Sequence, residues 1–127
     1  MNKELTEKFK NKKIVILGFG REGQSTYRYL RQLFPEKKLA IADIDDSLPR
    51  MFPDLLKADW ITGKNYQEKI DKFDIIIKSP GIKLTAHFDG DVTSQADLFL
   101  KIFGDQIIGV TGTKGKSTTS SLVHHIL

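Results

Sequence analysis

The sequence predicts an α/β fold in which a parallel β-sheet carries helices on both faces. Short apolar segments rich in β-branched residues alternate with segments of helical periodicity, a pattern that favours parallel strands joined by helices. Two of the apolar segments run directly into glycine-rich turns, at 18–23 and 109–117. The 127 residues are enough for one domain with its own core and the beginning of a second.

The first half of the chain is predicted to contain two strands and two helices. The run Lys12–Gly18 is apolar and bounded by charge and glycine, which is typical of a buried parallel strand. A helix is predicted over Arg21–Phe34 and ends at Pro35, because a residue before proline avoids the helical conformation. A second strand, Lys38–Ala42, and a weak helix, Met51–Ala58, follow.

The second half continues the alternation. In order, we expect a short strand, a short helix, a strong strand, an irregular stretch, a helix and a last strand: Trp60–Thr62, Tyr66–Asp71, Phe73–Lys78, 82–92, Ser94–Phe103 and Gln106–Val110. Ser94 is the predicted N-cap of its helix, with Asp97 three residues later as in a capping box. The boundary between a first domain, 1–104, and a second, 105–127, is expected at Gly104-Asp105.

Composition favours a cytoplasmic globular protein. The chain has no cysteine, which excludes disulfides and thiolate chemistry. It has no run of about 18 apolar residues, as a membrane span needs, and its first residues do not resemble a signal peptide. The net charge of +4 comes from scattered lysines, so we expect neither nucleic acid nor membrane as a partner.

The first motif is Gly18-Phe19-Gly20-Arg21-Glu22-Gly23, between a predicted strand and a predicted helix. Gly18 permits a sharp turn, Gly20 lets a diphosphate approach the backbone, and Gly23 allows close packing of helix on strand. Asp43 ends the second strand 20 residues after Gly23, as in Rossmann-like nucleotide-binding domains. Glu22 would repel a diphosphate unless it points away or pairs with Arg21.

The second motif is Ser79-Pro80-Gly81-Ile82, at the end of the strong predicted strand. Ligands of open α/β sheets bind at the carboxyl ends of the strands. The motif is therefore either part of a binding cleft or a simple turn that ends the strand, and the residues alone do not decide between the two.

The third motif is Gly109-x-x-Gly112-Thr113-x-Gly115-Lys116-Ser117, which follows the last predicted strand. It departs from the strict phosphate-loop pattern, because Val110 stands where that pattern has glycine. Backbone N–H groups from Gly112 to Lys116 can still surround an anion. Lys116 can reach the β- and γ-phosphates of ATP, and Ser117 can bind Mg²⁺. We expect this segment to be the first strand, phosphate loop and helix of a P-loop ATPase domain that the chain only begins.

Together and in this order, the three motifs resemble the start of the Mur ligases, the ATP-dependent amide ligases of peptidoglycan synthesis. The resemblance implies a role in cell wall biogenesis, and through it in cell shape and cell division. The Ser-Pro-Gly-Ile element and the second strand ending in Asp43 are most similar to the members that add D-glutamate. The resemblance covers essentially the whole chain. It implies a three-domain enzyme whose first domain holds UDP and whose central domain binds ATP.

The resemblance also implies site residues. The UDP-substrate site would be formed by Gly18, Phe19, Gly20, Arg21, Gly23, Asp43, Ser79, Pro80 and Gly81, with Asp43 near the uracil. The ATP site would be formed by Gly112, Thr113, Lys114, Gly115, Lys116, Ser117 and Thr118, with Lys116 as catalytic residue and Ser117 on the metal. At Glu22 the family leads us to expect a small or hydroxyl residue.

The implied reaction joins D-glutamate to UDP-N-acetylmuramoyl-L-alanine through an acyl phosphate, with ATP and Mg²⁺. The fragment would bind the UDP moiety and be inactive alone. Leu122, Val123, Ile126 and Leu127 would present an apolar helix face after residue 104, so that segment is expected to dock on the first domain or pair with another copy.

Two alternatives from other classes stay open at the level of sequence. An NAD-binding regulatory module, as in cation-channel gating domains, would look similar over its first 80 residues, with Asp43 on the adenine ribose. It leaves the phosphate loop unexplained. A non-catalytic UDP-sugar sensor would share the first two motifs.

Overall fold

The computed structural model describes residues 3–55 and 57–103. Its elements alternate along the chain. In order they are α1 (Lys3–Phe9), β1 (Ile14–Leu17), α2 (Arg21–Leu33), β2 (Leu39–Asp43), α3 (Leu48–Met51), β3 (Ala58–Thr62), a 3₁₀ helix (Tyr66–Lys69), β4 (Ile75–Lys78), β5 (Asp91–Thr93) and α4 (Gln95–Phe103). No helix among these residues is long and apolar enough to cross a membrane.

The five strands form one parallel sheet in the order β3-β2-β1-β4-β5. Leu17, the last residue of β1, stands opposite Ala42 of β2 and Lys78 of β4. The carboxyl ends of the three central strands therefore meet at one edge. The chain builds outward on one side through β2 and β3, then crosses to β4 on the other, so the strand order reverses between β1 and β4.

Both faces of the sheet are covered, which confirms the predicted fold class. One face packs against side chains from all four α-helices, including Leu5, Leu30, Leu48 and Leu98. The other face is covered by the end of the 3₁₀ helix and by the 82–88 loop. Because β1 is buried along its whole length, its alternate side chains enter both cores.

Local sequence explains where two helices begin and end. α2 buries Tyr27 and Leu30, and its last turn closes with the Phe34 N–H on the Leu30 carbonyl, directly before Pro35. At α4 the Ser94 hydroxyl accepts the Asp97 N–H at 3.1 Å, which confirms the predicted N-cap. The capping box is only half formed, since the Asp97 carboxylate accepts the Thr93 hydroxyl at 2.7 Å.

Three sequence-based expectations differ from the structure. The helix predicted over Met51–Ala58 is wrong: α3 spans Leu48–Met51, because Pro49 is tolerated in a first helical turn. α1 was not predicted, since its two buried residues stand alone among charged neighbours. β5 overlaps the end of the stretch 82–92 that was expected to be irregular, because it is a short edge strand with exposed residues. The strand Gln106–Val110 and the boundary at residue 104 lie outside the described residues.

Candidate functional site

The first two motifs lie side by side at the carboxyl edge of the sheet. The Gly18 loop leaves β1 where the Ser79 turn leaves β4, and these two strands are neighbours at the point where the strand order reverses. Crevices at such switch points are where open α/β sheets bind their ligands. The Ser79 amide donates to the Leu17 carbonyl at 3.0 Å, so the β1–β4 pairing extends into the turn.

Gly18 makes the turn that opens this crevice. Its φ of +93° lies in the left-handed region that favours glycine, and its amide donates to the Ala42 carbonyl at 2.8 Å. A β-carbon added there would stand 2.4 Å from Cδ1 of Ile82 and 3.0 Å from Oγ of Ser79. The two loops therefore touch at a position where only glycine fits.

Gly23 and Gly20 differ in what surrounds them. A β-carbon at Gly23 would lie 2.0 Å from the Gly18 carbonyl oxygen, so α2 can approach the loop only with glycine there, as the sequence predicts. A β-carbon at Gly20 would meet nothing within 4 Å. Gly20 is the N-cap of α2 and makes no side-chain cap, so the first amides of this 13-residue helix are available to an anion.

The side chain of Phe19 anchors the Gly18–Gly23 loop in the core. Its ring is 3% exposed and meets Tyr27, Phe52 and Trp60 edge-to-face, with centroids 5.1 to 6.1 Å apart. The ring is therefore part of the core and unavailable to a ligand. The backbone carbonyl of Phe19 accepts the Gln24 side-chain amide at 3.3 Å.

Asp43 ties the first loop to the loop after β2. One carboxylate oxygen accepts the Phe19 amide at 2.8 Å and the other accepts the Asp45 amide at 2.9 Å. A carboxylate has about four acceptor positions, so Asp43 can still receive a ligand hydroxyl or amide. The next residue, Ile44, is 65% exposed. The sequence motifs did not indicate Ile44 as a residue of the site.

Glu22 and Arg21 do not pair. The ion pairs within residues 3–55 and 57–103 are Lys57–Glu36, His87–Asp89 and Lys101–Asp97. Arg21 is exposed and Glu22 is half-buried, and burial raises the pKa of the Glu22 carboxyl. Arg21 is therefore the cation of this loop that can meet a ligand phosphate.

The backbone of the Ser79 turn is exposed at Pro80 and Gly81. A β-carbon at Gly81 would meet nothing within 4 Å. Lys78 holds the turn closed, since its ammonium donates to the carbonyls of Ser79 at 3.2 Å and Ile82 at 2.7 Å. The role of Lys78 was missed, although a lysine that ends an otherwise apolar strand is a signal for it.

The predicted ATP-site residues lie outside the described residues: Gly112, Thr113, Lys114, Gly115, Lys116, Ser117 and Thr118. Among the described residues, no group of three or more His, Asp or Glu side chains could hold a metal ion.

The comparisons with known proteins agree with this arrangement. Residues 12–93 match the model of the Mur ligase MurD-like N-terminal domain family. The UDP-N-acetylmuramoylalanine–D-glutamate ligases of Leuconostoc mesenteroides and Leuconostoc citreum are 29% and 32% identical over 94% of this chain. That of Wolbachia pipientis wMel is 32% identical over 94%. No solved structure matches the chain significantly.

The chain spans 25% to 28% of the length of these three relatives. The family match includes the Gly18 loop, Asp43 and the Ser79 turn, the three parts that meet at the carboxyl edge of the sheet. The chain therefore belongs to the Mur ligases, as a MurD-like N-terminal domain.

Proposed function

We propose that this chain is the UDP-binding front part of an ATP-dependent ligase that joins D-glutamate to UDP-N-acetylmuramoyl-L-alanine in peptidoglycan synthesis. One observation carries the proposal: the Gly18 loop and the Ser79 turn lie side by side at the β1/β4 switch point, with open space beside Gly20 and Gly81. The names of the relatives supply the substrate.

In this proposal the diphosphate lies over the amino end of α2. The amides of Arg21, Glu22 and Gly23 have no intrahelical partner, and the helix dipole favours negative charge there. The exposed Arg21 side chain adds a cation. Asp43 then has two tasks: it holds the Phe19 amide, and its remaining acceptor positions would receive a donor from the uracil end of the ligand.

The proposed reaction has two steps. An oxygen of the alanyl carboxylate attacks the γ-phosphorus of ATP, the bond to the β,γ-bridging oxygen breaks, and ADP leaves. The amine of D-glutamate then attacks the acyl phosphate carbon, inorganic phosphate leaves, the amine loses a proton and an amide forms. Lys116 would hold the transferring phosphoryl group, and Ser117 would bind Mg²⁺, which offsets phosphate charge when bound.

Calorimetric titration of the 127-residue chain tests the binding step. We expect UDP-N-acetylmuramoyl-L-alanine and UDP to bind more tightly than NAD. Arg21→Ala should weaken UDP binding about tenfold, since a charge-assisted contact to phosphate contributes about 1.5 kcal/mol. Arg28→Ala is the matched control, because Arg28 is an exposed arginine further along the same helix. Preference for NAD, or equal losses in both variants, would refute the proposal.

Phosphate release tests the catalytic part of the proposal. We expect no ATP turnover by the 127-residue chain, because Lys116 and Ser117 supply only one wall of a site. In the complete enzyme, Lys116→Ala should reduce the rate severely and leave the binding of the UDP substrate nearly unchanged. Mg²⁺-dependent turnover by the chain alone would contradict this division of roles.

A further inference from the structure

A second concave region lies at the opposite, amino-terminal edge of the sheet. It is a cavity of about 390 Å³. Six charged residues line it: Lys12, Lys13, Lys37, Lys38, Asp59 and Lys72. Its apolar floor includes Phe73 and Ala40, which belong to the core on one face of the sheet.

Topology gathers these lysines. Lys12 and Lys13 precede β1, Lys37 and Lys38 precede β2, and Lys72 lies shortly before β4. The three strands are parallel neighbours, so the segments that enter them end at the same edge. Lysines from three segments that lie more than 20 residues apart in sequence thus line one cavity.

The positive charge of the cavity is incompletely offset. Five lysines face one aspartate of the lining, which leaves four net positive charges. None of the five forms an ion pair within the described part of the chain. Asp74 is an additional carboxylate at this edge: it accepts the Lys13 amide at 2.8 Å, and its charge acts on Lys37.

Lys37 differs from the other four lysines in being half-buried. Its ammonium donates to the Lys10 carbonyl at 3.1 Å and lies 5.7 Å from the centroid of the Phe34 ring. Burial lowers the pKa of Lys37, and the Asp74 carboxylate opposes that shift only in part.

We propose that this cavity binds a small molecule that carries several phosphates, at a site separate from the UDP crevice. Lysine ammonium groups bind phosphates as point charges from flexible stems. The volume falls within the range of small-molecule sites, about 300–1,000 Å³. Asp59 can accept a hydrogen bond from a ligand hydroxyl or amino group.

Tripolyphosphate is the probe for this site. The titration uses the 127-residue chain with Lys116→Ala, which removes the lysine of the predicted phosphate loop. Amide chemical shifts locate the probe: we expect the amides of Lys38, Asp59 and Lys72 to move. Shifts confined to the Gly18–Gly23 loop would overturn the proposal. UDP should move the Gly18–Gly23 amides in all variants, so failure of one site is separable from failure of the other.

Two double variants measure the contribution of the lysines. Lys38→Ala/Lys72→Ala should weaken tripolyphosphate binding about tenfold, which corresponds to about 1.4 kcal/mol. Lys64→Ala/Lys69→Ala removes the same charge from exposed positions outside the cavity and should change the affinity less than about twofold. Equal losses in both variants would mean a merely basic surface and would refute the site.

An acidic peptide distinguishes a second class of ligand. A deca-glutamate peptide should bind the 127-residue chain more weakly than tripolyphosphate does, since an extended chain cannot place its carboxylates together in so small a cavity. If the peptide binds more tightly, and Lys38→Ala/Lys72→Ala abolishes that binding, the cavity is a protein-docking site and the proposal for a phosphorylated small molecule is wrong.

Discussion

The two edges of this sheet differ in the residues that form them. At the carboxyl edge, glycine backbone lies in close contact with its neighbours: Gly18 meets the side chains of Ser79 and Ile82, and Gly23 of α2 meets the Gly18 carbonyl. At the amino edge, long and mostly exposed lysines surround a cavity. The shape of the carboxyl edge therefore depends on close glycine contacts, whereas the lysines of the amino edge can be replaced without changing the fold.

The largest expected effect is on the glycines of the carboxyl edge. Gly23→Ala places a methyl group 2.0 Å from the Gly18 carbonyl oxygen, so backbone must move. We expect a loss of about 3 kcal/mol in the free energy of unfolding, measured by urea denaturation. Gly20→Ala is the control, with a loss below about 1 kcal/mol, because its methyl group meets nothing within 4 Å. Equal losses would mean that this edge is not packed as described.

The next effect concerns the bridge between the two loops of the carboxyl edge. Asp43→Ala removes the acceptor of the Phe19 and Asp45 amides. A hydrogen bond to a charged acceptor contributes about 1.5–3 kcal/mol, and the freed Asp45 amide is exposed and can bond to water instead, so we expect a loss of about 2 kcal/mol in denaturation experiments. The exposed neighbour Asp46→Ala should lose less than about 0.5 kcal/mol. If Asp43→Ala is equally mild, the carboxylate is not a structural bridge.

A smaller effect depends on pH and on Glu22. Burial raises the pKa of the Glu22 carboxyl in the folded state, so the carboxyl binds its proton more tightly in the folded protein than in the unfolded protein. The resulting stabilisation is complete below the ordinary glutamate pKa, about 4.3, and is lost as pH rises through the raised value. Glu22→Gln should therefore gain stability relative to wild type between about pH 4 and about pH 7. Exposed Glu68→Gln is the control, and the opposite slope for Glu22→Gln would contradict the account.

The smallest expected effect is on the stability of the amino edge. Lys38 and Lys72 are exposed and belong to no ion pair among the described residues. Lys38→Ala/Lys72→Ala should therefore change the free energy of unfolding by less than about 0.5 kcal/mol, even though it weakens anion binding. A loss above about 2 kcal/mol in urea denaturation would show that the lysines support the fold, and the contrast between the two edges would fail.

Sequence reasoning recovered the parts of the molecule that depend on local pattern. Apolar runs gave β1, β2 and β4, and Pro35 gave the end of α2. α1 was missed because only Leu5 and Phe9 mark its buried side. β5 was missed because an edge strand with exposed residues lacks an apolar run.

The candidate site was predicted where glycine spacing reports geometry and missed where distant residues meet. Gly18 and Gly23 have the packing roles expected from their spacing. The Asp43–Phe19 bond joins residues 24 positions apart, and the Gly18–Ser79 contact joins residues 61 positions apart. The basic cavity likewise depends on three separate segments. No local pattern encodes such neighbours, because they follow from strand order.

The proposed function places the UDP end of the substrate between the carboxyl ends of β1 and β4. A crystal structure of this chain with UDP-N-acetylmuramoyl-L-alanine tests it most directly. We predict diphosphate oxygens within hydrogen-bond distance, about 2.7–3.2 Å, of the amide nitrogens at the start of α2. The uracil should lie on the Asp43 side, and Ser79-Pro80-Gly81 should line the opposite wall. A diphosphate bound only among the lysines of the amino edge, with the Gly18 loop empty, would contradict the account.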